Sequence, residues 1–125
     1  MRILLVDDHA VLRKVIRGLL SSHAELDVVG EAENGDEAID STTELKPDLI
    51  IMDINIPGRD GISAASEIKK SWPEVKILIF SNHHLPILVK MAKEIGLDGY
   101  VMKSEGGVGL MKAIETIGLN QTYFP

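Results

Sequence analysis

Apolar and polar positions alternate along this chain in two distinct rhythms. Five short runs are apolar at nearly every position: 3–6, 28–29 with their flanks, 49–52, 77–80 and 100–102. Each has strand length, and four are rich in isoleucine or valine. Between them lie segments with helical spacing. Val11, Val15 and Leu19 repeat at i+4, as do Leu12, Ile16 and Leu20, while Arg13, Lys14 and Arg17 take the other face. The second helix is predicted to start at Asn34 as N-cap, with Glu37 three residues on, and to end before Pro47. The third runs from about Gly61 to Ser71, with Ile62, Ala65, Ile68 and Trp72 inward and Pro73 as its stop. The fourth has Pro86 in its first turn, Gly96 as its C-terminal stop, and an inward stripe of Leu88, Met91, Ala92 and Ile95. The fifth carries Leu110, Ile114 and Ile117. Its start is weak, because Gly106, Gly107 and Gly109 all lower helix propensity.

Strand and helix therefore alternate five times. This pattern implies a five-stranded parallel sheet joined by right-handed crossovers, with helices on both faces. Runs that are apolar throughout are what doubly covered parallel strands require. The chain shows no internal repeat, low-complexity tract or linker, and residues 120–125 are read as the point where the domain stops.

Polar residues follow the strands in a consistent way. Asp7, Asp8 and His9 follow the first, Asp53 closes the third, Ser81 and Asn82 follow the fourth, and Lys103 and Ser104 follow the fifth. In a parallel sheet these positions share one edge, the edge where open α/β sheets bind ligands. The second strand ends differently, at the acidic stretch Glu31 to Gly35. A doubly wound order of 2-1-3-4-5 accounts for the difference by placing it at the sheet margin.

Asp53 poses the chemical question. Ile50, Ile51 and Met52 belong in an apolar interior, where an ionised carboxylate is costly without a partner. Three clustered carboxylates also repel one another and raise each other's pKa. A hard divalent cation removes that penalty, and oxygen ligands with few protein groups favour Mg2+. Lys103 adds a positive charge and Ser81 a hydroxyl. A carboxylate nucleophile, a metal and a lysine are the parts needed to form an aspartyl phosphate.

Composition narrows the setting. The 125 residues suit one domain, and 45% are hydrophobic, enough for a single core. With no cysteine there is neither a disulfide framework nor a thiolate metal site. The net charge of -6 weighs against a broad electrostatic grip on nucleic acid. No apolar run reaches membrane-spanning length, and the expectation is a soluble cytoplasmic domain.

Four stretches carry a family resemblance: "LLVDDH" at 4–9, "DLIIMDINIPGRDG" at 48–61, "ILIFS" at 77–81 and "GYVMKS" at 99–104. In this order, at strand ends, they resemble the receiver domain of two-component response regulators, over nearly the whole chain. The resemblance implies a flavodoxin-like (βα)5 fold. It implies that Asp53 is the phosphoacceptor, supplied by a sensor histidine kinase. Asp8 and Asp53 would bind Mg2+ directly, with the backbone carbonyl of Asn55, and Asp7 through water. Ser81 and Lys103 would contact the phosphoryl oxygens. Tyr100 would be the switch aromatic, turning inward as Ser81 moves, so that the helix 4–strand 5–helix 5 face changes and serves output or homodimerisation. The "DDH" start, "VVGEAENGDEAI" and the late "YFP" are most similar to receivers that precede a helix-turn-helix DNA-binding domain. On this reading residues 1–125 are a single receiver whose DNA contact belongs to an output domain absent from the chain. The chain is either a fragment or a single-domain receiver, and the fragment is favoured. Ile56 before Pro57, Asn82 after Ser81, and His83 and His84 depart from the usual pattern, and Asn82 and His83 bear on the phosphoryl lifetime.

Plainer readings exist for each position. Paired acids after a strand commonly form a solvated turn, a lone lysine is commonly surface, Ser81 can cap helix four, and Tyr100 can be strand core. His9 is read as opening helix one rather than as a metal ligand. Competing functions also meet obstacles. A phosphatase with an aspartyl-phosphate intermediate would want an acid where Asn55 stands. A flavin carrier would want a hydroxyl- and glycine-rich loop where the acids stand. A degenerate receiver acting only as a binding module would not need the intact Asp7, Asp8, Asp53, Ser81 and Lys103. The expected function is a phosphorylation switch that catalyses only its own phosphorylation and dephosphorylation.

Overall fold

The computed structural model describes residues 1–125 except Arg59 and His84, so the reading of His84 lies outside the described residues. The order is β1 (Arg2–Val6), α1 (Ala10–Ser21), β2 (Asp27–Ala32), α2 (Gly35–Leu45), β3 (Leu49–Met52), α3 (Gly61–Ser71), β4 (Lys76–Ser81), α4 (Pro86–Glu94), β5 (Gly99–Met102) and α5 (Gly106–Gly118), with a 3-10 turn at Lys103–Glu105 before α5. The five strands form one sheet in the order β2-β1-β3-β4-β5, all pairs parallel.

Alternate side chains of each strand feed two cores. Leu4, Val6, Ile50, Met52, Ile77 and Ile79 pack with α2, α3 and α4 residues such as Ala38, Ile68 and Ala92. Ile3, Leu5, Leu49, Ile51, Leu78 and Phe80 pack with Ile16 and Leu20 of α1 and Leu110, Ile114 and Ile117 of α5. Each such side chain, fully buried, contributes about 1.5–3 kcal/mol. Caps set the helix starts: the Asn34 side chain accepts from the Glu37 amide at 2.9 Å, and Asp60 accepts from the Ser63 amide at 2.9 Å. α2 ends at Lys46, whose φ of 49° is left-handed, just before Pro47.

Three expectations need correction. On α1, Val11 and Val15 are 77% and 62% exposed, whereas Arg13 is buried. Two carboxylates on and just after β2 draw Arg13 inward, and the helix rotates its Ile16–Leu20 side to the sheet. On α4, Val89 and Ala92 face the core and Met91 is exposed. α5 starts at Gly106 despite its glycines. A Cβ on Gly107 would stand 3.1 Å from Leu19, so a bare backbone lets α5 approach α1. Residues 120–125 pack onto the last strand. The Tyr100 amide donates to the Tyr123 carbonyl at 2.8 Å, the Tyr123 amide donates to the Asp98 carbonyl at 2.9 Å, and the tail covers part of the β5 edge.

Candidate functional site

The carboxyl edge of the sheet gathers the polar residues. β1 and β3 are neighbours with Val6 opposite Met52, so Asp7 and Asp53 leave the sheet side by side. The Asp53 amide donates to the Val6 carbonyl at 2.9 Å, which extends the ladder to the site itself. Gly61 presses on the Asp53 carbonyl from the α3 side. β4 delivers Ser81 and β5 delivers Lys103.

Lys103 joins the acids. Its Nζ lies 2.8 Å from Asp7 Oδ2 and 3.2 Å from Asp53 Oδ2. Asp7 and Asp53 are nearly fully buried, while Asp8 is exposed. The Asn55 amide lies 3.4 Å from Asp53 Oδ1, a long hydrogen bond. Ser81 is fully buried and its Oγ accepts from the His83 amide at 3.1 Å. The cap of α4 is Leu85, so Ser81 does not cap that helix. Tyr100 is fully buried, and its hydroxyl donates to the His83 carbonyl at 2.5 Å. The aromatic expected to turn inward on activation is thus already inward here. The His83 ring meets the Asn55 side-chain amide, a pairing with no local signal in the sequence. Asn82 is exposed.

Charge is distributed unequally between the two acids. Burial pushes Asp53 above the usual carboxylate range, and Asp7 adds to the push, against the pull of Lys103. Burial acts on Asp7 too, but the hydrogen bonds from Lys103 and from the His9 amide and ring outweigh it and hold Asp7 low. Burial would lower Lys103, yet its bond to Asp7 and the Asp53 charge raise it. Burial raises Tyr100, against a hydrogen bond with Ser81.

The donor set fits a hard divalent cation. Ligand atoms of Asp7, Asp8, His9 and Asp53 all lie within 4.8 Å of one another, and three of the four residues offer carboxylate oxygens, as Mg2+ prefers. The reading of His9 as merely opening α1 missed a contact. Its Nδ1 lies 3.0 Å from Asp7 Oδ1 and 3.1 Å from Asp8 Oδ1, and it makes no side-chain cap bond.

The sequence reading also missed Arg13. Its Nη1 donates to the Asp7 carbonyl, and its Nε donates to Glu31 Oε1 at 2.8 Å. The signal was present: Arg13 stands three and seven residues before Ile16 and Leu20, on their stripe.

The family described as response regulator receiver domain matches residues 3–115. The response regulator protein VraR of Staphylococcus saprophyticus is 35% identical over 98% of this chain, and the chain spans 59% of its length. A LuxR-family two-component response regulator from Aurantimonas sp. superposes with a TM-score of 0.93 at 37% identity, covering 98% of this chain and 87% of that one. The isolated REC domain of RcsB from Salmonella enterica serovar Typhimurium, solved with the phosphomimetic BeF3-, gives 0.93 at 26% identity, over 100% and 93%. No helix among the described residues is long and apolar enough to cross a membrane.

Proposed function

Because the chain belongs to the response regulator receiver domain family, we propose that Asp53 accepts a phosphoryl group from a sensor histidine kinase. The observation that carries the reading is Lys103 Nζ standing between Asp7 and Asp53 at the carboxyl edge of the sheet. An Asp53 oxygen attacks phosphorus, and the P–N bond to the donor imidazole breaks. The electron pair stays on the nitrogen, which takes up a proton. Lys103 and the Ser81 hydroxyl receive the phosphoryl oxygens. Asp8, Asp53 and the Asn55 carbonyl would hold Mg2+, with Asp7 through water, and the ion would supply charge neutralisation between acids and phosphate. The raised pKa of Asp53 suits the role, since a more basic carboxylate is the better nucleophile once ionised.

The domain is a switch rather than a classical enzyme, and the reactions it accelerates are its own phosphorylation and dephosphorylation. The phosphoryl group biases two states of the α4–β5–α5 face by its differential contacts, with Ser81 and Tyr100 as the moving parts. This face serves output or a homodimer contact, and DNA is met only through an output domain outside these residues. Support for the transcriptional setting comes from the LuxR-family relative and from RcsB, solved as dimers bound to DNA. A cytoplasmic setting follows from the kinase as donor.

The test is intact-protein mass spectrometry after incubation with acetyl phosphate, with and without Mg2+. Wild type gains one phosphoryl group only with Mg2+, and Asp53→Ala gains none. Incorporation that persists in the variant overturns the assignment.

A further inference from the structure

Arg13 is a buried cation in a place where an apolar side chain would do. It shares its face of α1 with Ile16 and Leu20, whereas Lys14 and Arg17 on the same helix are exposed. Desolvating a guanidinium is costly, and replacing a buried ion pair by apolar packing is often neutral or stabilising. Burial alone therefore does not account for an arginine here.

Its hydrogen bonds point to a role. Nε donates to Glu31 Oε1 at 2.8 Å, and Nη2 lies 3.4 Å from Glu33 Oε1. Glu31 is gripped from the other side by Arg17, with Nη2 2.8 Å and Nε 3.0 Å from Oε2. The fork so held from below directs Nη1 upward to the main-chain carbonyl of Asp7. That carbonyl belongs to the turn bearing the acid pair. α1 has no side-chain N-cap bond and no acidic residue in its first turn, so its cap does not fix that turn. The Asp7 carboxylate is meanwhile committed to Lys103 and His9. Arg13 thus ties this turn to the α1–β2 layer through the backbone and itself occupies neither carboxylate.

We propose that Arg13 is a positioning residue for the divalent cation: it holds the β1–α1 turn so that Asp7 and Asp8 face Asp53 before the cation arrives. This inference rests on the reading of the acidic cluster given above. The group acts through the Asp7 backbone and touches neither cation nor phosphate. Partners that orient metal ligands in this way commonly change affinity tenfold or more when removed.

The experiment compares the whole chain as wild type, R13M, R13K and R17A. Calorimetric Mg2+ titration gives the dissociation constant, thermal melts in EDTA give stability, and acetyl phosphate labelling across Mg2+ concentrations separates half-saturation from maximal rate. For R13M the Mg2+ dissociation constant and the half-saturating Mg2+ both rise about tenfold, while the maximal rate moves less than about twofold. R13K keeps the charge but offers one ammonium in place of the fork, and shows a smaller shift in the same direction; this variant decides the matter if R13M does not fold. R17A loses its bonds to Glu31 but never touches Asp7, and leaves Mg2+ affinity unchanged. Two results overturn the proposal: R13M or R13K that melts lower yet binds Mg2+ like wild type, or R17A that weakens Mg2+ as much as R13M. Wild type that binds no Mg2+ and takes no phosphoryl group overturns the parent reading instead, which distinguishes the two failures.

Discussion

Gly61→Ala tests how tightly the loop is built around Asp53. A Cβ at position 61 would stand 2.2 Å from the Asp53 carbonyl oxygen, 2.8 Å from Ile54 Cα and 3.0 Å from the Asp53 carbonyl carbon. All three neighbours are backbone, so no rotamer change relieves the overlap. Restoring ordinary contact distances requires a displacement of roughly 1 Å. Overpacking of this kind costs about 1–3 kcal/mol. Alanine returns at most about 1 kcal/mol in helix propensity, and less at the first turn of α3. With about 0.5 kcal/mol returned the net cost is about 0.5–2.5 kcal/mol, and at roughly 4 °C per kcal/mol for a chain of this size the melting midpoint falls by about 2–10 °C. The displaced atoms also carry the Asp53 side chain, so its 3.2 Å contact with Lys103 is disturbed. A misplacement near 1 Å can cost about a hundredfold in rate. Thermal melts and timed acetyl phosphate labelling followed by mass spectrometry read both effects. A G61A protein that melts at or above wild type and labels at the wild-type rate refutes the packing argument.

Three further outcomes follow from the site's electrostatics. Asp53→Asn stabilises the protein in EDTA at about pH 7, because a raised folded pKa means that ionised Asp53 costs stability above it; the gain shrinks as pH falls through that pKa toward the ordinary carboxylate value of about 3.9. Melts at the two pH values check this, and a gain that grows in acid contradicts the sign. Lys103→Met leaves the buried Asp7 and Asp53 carboxylates facing each other, which lowers stability in EDTA by about 2–4 kcal/mol; Mg2+ recovers part of the loss in urea titrations. No Mg2+-linked recovery in that variant speaks against the cation site. Tyr100→Phe removes the donor to the half-buried His83 carbonyl and costs about 1 kcal/mol in urea, with labelling of Asp53 retained; an unchanged midpoint shows that the hydroxyl does not hold the loop.

The sheet was legible because β1, β3, β4 and β5 are largely apolar on both faces, as parallel strands covered by helices must be. The cap of α2 was legible because Asn34 acts within three residues of itself. α1 was misread for a definite reason. Its two i+4 stripes lie one residue apart, about 100° around the axis, and hydrophobicity alone does not choose between them. The choice was made by Glu31 and Glu33, 18 and 20 residues on, which hold Arg13 against the sheet. The pairing of the tail with β5 was not legible because it uses main-chain atoms, which leave no mark on residue type. At the site, Asp7, Asp53 and Lys103 were found from their places after strands. Their meeting spans up to 96 residues and follows from topology. The bond from Tyr100 to the His83 carbonyl and the ring of His83 on Asn55 depend on a loop path that no local pattern encodes.

One lysine serving two carboxylates explains why the proposed switch reacts at one of them. Lys103 is closer to Asp7, and Asp7 also draws on the His9 amide and ring. Asp53 has the longer half of the lysine contact and one long amide bond. It is the less satisfied acid in the more costly position, and so gains most from new partners. A phosphoryl group on Asp53 would bring acceptor oxygens within reach of Lys103 and Ser81. The Ser81 oxygen is now occupied by the His83 amide, and the His83 carbonyl holds the Tyr100 hydroxyl. A ligand can shift such an arrangement only through contacts that differ between its states. Ser81 is where they can differ, because its hydroxyl is the group that both the phosphoryl oxygens and the His83 loop can engage. Tyr100 stands inward in this structure with its hydroxyl on the His83 carbonyl, so the ring and the loop that bears Ser81 and His83 are coupled parts of the proposed switch.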